Sequence, residues 1–163
     1  MRFKLFAGFL IITLLSPTLA RAKDAKPDPS ISKIGNWSIH LSIDPMTDSK
    51  SCTGLYNGKF DVQLNEGHLY ISLRGRGGVS GIVLRFDDEP ARPLRLPTEM
   101  EKRIDIVDIE GEDFQKLLDS KRLRVQVLTV LNSLVDEDIS LVNLKEALTV
   151  ISGPKCSNDV KPQ

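Results

Sequence analysis

The chain has 163 residues, of which 22 are basic and 22 acidic; 40% are hydrophobic and 6% aromatic, enough for one domain with one core. A net charge of zero argues against non-specific nucleic-acid binding, which needs a basic face. So few aromatic residues also argue against an extended platform for stacking sugars.

Residues 1–22 read as a secretory signal peptide. Arg2 and Lys4 make a basic start, Leu5 to Leu15 is an apolar run short for a bilayer span, and Ser16-Pro17 breaks it. Ala20-Arg21-Ala22 has the small-x-small form of a cleavage site. An uncleaved anchor is the alternative, and it fits the short core and the cleavage site less well. No cysteine stands near the site, which excludes a lipoprotein anchor. Removal of Arg2, Lys4 and Arg21 leaves about 19 basic residues against 22 acidic. The expected location is the periplasm or outside the cell, with a signal of bacterial form and no membrane span after cleavage.

Residues 23–35 are polar, carry Pro27 and Pro29, and read as a flexible lead-in. The β-rich domain is expected over 36–156. Trp37, Ile39, Leu41 and Ile43 alternate with Ser38, His40 and Ser42, the period of a half-buried strand. Asp44-Pro45 ends it, since proline has no N–H and restricts the residue before it. A polar loop then leads to Cys52. Phe60 to Leu64 and Leu69 to Leu73 alternate on either side of Asn65-Glu66-Gly67, which predicts a hairpin.

After the Gly75-Arg76-Gly77-Gly78 turn, Ile82 to Phe86 reads as a strand, and the acidic, proline-rich 87–93 as an edge or loop. Arg103 to Ile109 reads as extended. Glu110 to Ser120, with Phe114, Leu117 and Leu118 at helical spacing and acids at its front, predicts a short helix. Leu123 to Val127 is another strand, and Ile139 to Leu141 is extended. Asn143-x-x-Glu146 has the form of a capping box opening a second helix, which Gly153-Pro154 ends before Cys156. Residues 157–163 form a polar tail. These elements predict a mainly β, antiparallel sandwich or half-barrel with two short helices.

In an exported chain two cysteines most simply pair, so Cys52 and Cys156 are expected to form one structural disulfide. Free thiols or a metal site are the alternatives, and two ligands without nearby histidines make a poor zinc site.

Little else carries chemistry. Gly78-Val79-Ser80-Gly81-Ile82 falls short of a nucleophile elbow, because a strand rather than a helix follows it. His40 and His68 occupy polar positions of their strands and would share a metal only if those strands were neighbours. Asp105, Asp108, Glu110, Glu112 and Asp113 lack the register of a calcium loop and are expected to solubilise a strand end and favour a helix N-terminus. Asn36-Trp37-Ser38 is a formal glycosylation sequon read as chance. No catalytic residue, cofactor or metal is therefore assigned.

Gly35-Asn36-Trp37-Ser38, Asp44-Pro45-Met46-Thr47-Asp48 leading to a cysteine, and Ile139-Ser140-Leu141-x-Asn143-Leu144-x-x-Ala147-Leu148 before a second cysteine together resemble small secreted bacterial proteins of the invasion-associated locus B type. The resemblance spans most of Trp37 to Cys156. It implies a disulfide-stapled β-sandwich with a binding role and no catalytic residues to carry over. The additional cysteine expected beside the Trp strand is absent, which bears on the invasion-linked role more than on the fold.

The expected function is a non-catalytic exported module that binds a protein or cell-envelope component. The exposed loop, with Asp44, Met46, Asp48 and Lys50, is its expected contact point. Alternatives are an inhibitor or immunity-type protein of a cell-wall enzyme, and a carboxylate-dependent hydrolase.

Overall fold

Alternating apolar residues need an apolar face to bury, and here two antiparallel sheets supply it for each other. The computed structural model describes residues 30–157. The expected signal peptide, the start of the lead-in and all but Ser157 of the tail lie outside them. Five strands run as a meander: β1 (Ser30–Ile34), β2 (Trp37–Ile43), β3 (Lys50–Asn57), β4 (Asp61–Asn65) and β5 (His68–Ser72). The chain then leaves to form β6 (Gly81–Phe86) and α1 (Glu99–Ile104), and returns with β7 (Ile106–Ile109) alongside β5. After α2 (Gly111–Asp119), β8 (Arg122–Leu128) and β9 (Leu134–Ser140) join β6 in a three-stranded sheet of order β6-β8-β9. Helix α3 (Leu144–Ile151) closes the domain. The mainly β, two-sheet expectation holds, and neither sheet closes into a barrel.

One core takes side chains from both sheets and from α2 and α3. Trp37 and Ile39 of β2, Leu64 of β4 and Leu69 of β5 are fully buried, as are Leu123 of β8 and Ile139 of β9. Phe114 and Leu117 of α2 and Leu144, Ala147 and Ile151 of α3 complete it. Gly54 lets α3 approach the sheet: a Cβ there would stand 3.2 Å from both Ile151 Cδ1 and Leu64 Cβ. The two sheets are also stitched by polar bonds. Tyr56 Oη on β3 accepts from the Ser140 N–H at 3.0 Å, and Glu137 Oε1 on β9 accepts from the Lys59 N–H at 3.3 Å.

Cys52 and Cys156 are bonded, with Cα atoms 5.2 Å apart, and both are buried. The bridge joins β3 to the turn after α3. Cys52 therefore sits inside a strand, whereas the sequence placed it at the end of a polar loop. The loop is shorter, residues 44–49, because β2 and β3 pair from Trp37↔Tyr56 through Ile43↔Lys50.

Four further expectations need correction. The lead-in is not all unstructured, since residues 30–34 pair with β2 through a tight turn at Gly35-Asn36, where Gly35 has φ 56°. The stretch 103–109 is not one strand. Residues 99–104 are helical, Asp105 ends the helix in the left-handed region at φ 54°, and β7 starts only at Ile106. There are thus three helices, not two. Strand β9 is longer than the extended stretch predicted at its end. Finally, α3 starts where expected but without a capping box: Asn143 has φ 66° and makes no side-chain cap, and its Nδ2 instead donates to Glu146 Oε2 at 2.8 Å.

Candidate binding groove

The outward face of the six-stranded sheet is crossed by rows of side chains fixed by strand register. Leu55, Gln63, Tyr70 and Asp108 stand opposite one another across β3, β4, β5 and β7. Asn57, Asp61, Ser72 and Ile106 form the adjacent row. Both are on the face opposite the buried Val62, Leu64, Leu69 and Ile71, as the period of two requires. Residues from this face form the floor of an open groove of about 1130 Å³, and Arg95, Thr98, Met100, Glu101 and Ile104 form its wall. Five carboxylates (Asp61, Glu101, Asp108, Glu110 and Asp113) and two arginines (Arg74 and Arg95) line it, so it is net acidic.

The wall is held by an ion pair whose carboxylate is buried and whose guanidinium is partly exposed. Thr98 caps α1 with a complete capping box: its hydroxyl accepts from the Glu101 N–H at 3.2 Å, and its own N–H donates to Glu101 Oε2 at 2.7 Å. Glu101 reaches further than capping requires. Arg95 donates to both its oxygens, at 2.9 and 2.8 Å, and the Asp108 N–H donates to Oε1 at 2.9 Å. Arg95 also donates to the Asp108 carbonyl at 3.2 Å. The segment carrying Arg95 is itself fixed, since Arg95 and Ile82 exchange backbone hydrogen bonds at 2.9 Å.

Burial pushes the Glu101 carboxyl up, but the Arg95 guanidinium and the Thr98 and Asp108 N–H groups outweigh it and hold the pKa below the ordinary value. The Glu101 hydrogen bond likewise raises Arg95, against its partial burial. Four donors on one ionised carboxylate make Glu101 a brace between α1 and β7 and leave it no part as a proton donor.

At the edge of the groove the sheet sets a histidine against two carboxylates. His68 Nδ1 lies 3.1 Å from Asp108 Oδ1 and 3.8 Å from Glu110 Oε2. The His68 ring stacks on Tyr70, centroids 5.3 Å apart and planes within 7°. Burial, then the Asp108 and Glu110 charges, raise the Tyr70 phenol above its usual pKa.

Of the residues singled out in sequence, the structure gathers some and scatters others. Asp108 and Glu110 meet at this edge, while Asp105 caps α1 and Glu112 and Asp113 occupy the first turn of α2, where acids suit the helix dipole. Asp113 also pairs with Arg92 at 3.3 Å. His40 is on β2, separated from β5 by two strands, so the histidines do not meet. Ser80 immediately precedes β6, which Gly81 opens, and no elbow forms.

Asp44, Met46 and Asp48 form the exposed tip of the β2–β3 hairpin, where Asp44 Oδ1 accepts from the Met46 N–H at 2.7 Å and Met46 is 89% exposed. Lys50 is exposed at the start of β3, and none of the four lines the groove. The wall was missed in sequence, although Thr98-x-x-Glu101 is a readable capping box. No family model, curated protein or solved structure matches the chain.

Proposed function

We propose that this is an exported, non-catalytic binding module, periplasmic or secreted, of the kind the invasion-associated locus B resemblance implies. The observation that carries this reading is the braced groove, whose floor is two register-fixed rows of side chains and whose wall is locked to β7 by Glu101. A rigid, pre-formed surface of this size suits recognition, because little ordering is left to oppose binding. Half-exposed Met100 and Ile104 stand beside an acidic lining. That chemistry fits an extended segment of protein, or an envelope component, carrying cationic groups and apolar side chains. The disulfide and the lack of any long apolar helix among the described residues are consistent with export.

A photo-crosslinking residue at Gln63, with the same probe at Asp138 on the other sheet, tests the reading in envelope extracts. A product that is saturable, specific to Gln63, weakened by salt and lost with Tyr70→Ala is expected. No product above background, or equal products at both positions, refutes it.

A further inference from the structure

We propose that His68, Asp108 and Glu110 bind a divalent first-row transition cation, with Zn²⁺ the best-fitting ion. Each side chain offers one ligand atom, and the three atoms lie within 4.8 Å of one another. Zinc bonds of about 2.0–2.2 Å in a tetrahedral arrangement place ligand atoms roughly 3.3–3.6 Å apart. His68 Nδ1 hydrogen-bonds Asp108, 3.1 and 3.2 Å from its two oxygens, and lies 3.8 Å from Glu110 Oε2, so an ion would take the place of that hydrogen bond between atoms already near this spacing.

The cluster follows from register, not from chance surface proximity. Tyr70 pairs with Asp108 and Leu69 with Ile109, which places His68 opposite Glu110 at the end of β7. Asp108 and Glu110, two residues apart in extended chain, face the same way. Both ends of the Asp108 peptide frame are pinned, its N–H by Glu101 and its carbonyl by Arg95, while Tyr70 stacks on the imidazole. These contacts fix the strand that carries Asp108 and the plane of the imidazole, so the three side chains start from a backbone that is already held in place. Arg95 does not oppose a cation here, because its charge is matched by Glu101.

A second observation lies on the neighbouring strand. Asn65 stands directly opposite His68 on the same face, and its Oδ1 is shielded from solvent with no hydrogen-bond donor among the described residues. The strand next to the histidine thus carries, at the position paired with it, an oxygen acceptor that has no partner among the described residues. One imidazole with carboxylate oxygens favours zinc-type ions over Mg²⁺ and Ca²⁺, which take oxygen ligands alone. His68 and Glu110 are 35% and 64% exposed, so an ion has a path in. The site needs no groove ligand and stands or falls independently of the function proposed above.

Calorimetric titration of Zn²⁺ into the metal-free, disulfide-bonded protein at neutral pH tests it. One saturable site per chain is expected, weakened by about tenfold or more in His68→Ala and in Glu110→Gln, a loss at least as large as that for outer-sphere partners. His40→Ala should leave it unchanged, and Ca²⁺ and Mg²⁺ should bind about tenfold more weakly or worse. Glu110 makes no side-chain cap, so Glu110→Gln keeps the fold even if His68→Ala disturbs it. No saturable binding, binding indifferent to both variants, or equal affinity for Ca²⁺ overturns the proposal.

Discussion

Glu101→Gln keeps the shape of the brace and removes its charge. The Glu101 side chain is 3% exposed and accepts four hydrogen bonds, two from Arg95 and one each from the Thr98 and Asp108 N–H groups. A glutamine offers one oxygen and one NH₂, so one face of the brace sets donor against donor, and Arg95 keeps an unmatched charge. Breaking a fully buried pair costs about 3–5 kcal/mol; the Arg95 side chain is 34% exposed, water recovers part of that, and about 2–3 kcal/mol is expected.

The loss also has a sign in pH. A carboxyl whose folded pKa is lowered contributes in full above its unfolded value of about 4.3, and the contribution fades as pH falls through the folded value. Wild type and variant should therefore differ most at neutral pH and draw together in acid. Urea unfolding from neutral pH to about pH 3 measures this gap, and hydrogen exchange at the Asp108 amide reports the brace directly. A neutral-pH gap below about 0.5 kcal/mol, the scatter of ordinary surface changes, would refute the reasoning. So would a gap that stays constant into acid.

Two more outcomes follow from buried groups. Replacing Cys52 and Cys156 by alanine opens a loop spanning 104 residues, worth about 4.7 kcal/mol in chain entropy. Divided by an unfolding entropy of about 2.1 cal/mol/K per residue over about 130 residues, that is a Tm lower by about 17 °C. Calorimetry giving less than about 5 °C would mean the bridge adds little restraint. Glu137 has the opposite pH sign to Glu101, because burial raises its carboxyl above the ordinary value even with the Lys59 N–H bound to it. The folded state then holds the proton longer than the unfolded chain, so wild-type stability falls as pH rises from about 4.3 through the folded value. Glu137→Gln should remove that slope and gain about 1 kcal/mol at neutral pH; a variant less stable by the same amount at every pH would contradict this.

Local pattern carried much of the fold. The alternation of Trp37 to Ile43, Phe60 to Leu64, Leu69 to Leu73 and Leu123 to Val127 marked β2, β4, β5 and β8, because burying one face of a strand forces that period. Phe114, Leu117 and Leu118 marked α2 in the same way. The errors lie where alternation and helical spacing overlap. Ile104 and Ile106 read as one strand because Asp105, between them, turns the chain through the left-handed region, which no hydrophobic pattern signals.

By itself the sequence determined a mainly β domain and the pairing of Cys52 with Cys156, since the first follows from local alternation and the second from there being two cysteines. Only the tertiary structure decided which outward-facing residues share a surface. His68 and Asp108 are 40 residues apart, and they meet because β7 returns past β6 and α1 to pair with β5. Arg95 and Glu101 were ordinary charges in the chain until burial at the groove wall made them a pair. Pairing order between distant strands is set by the summed packing of the whole core, so no short window of sequence contains it.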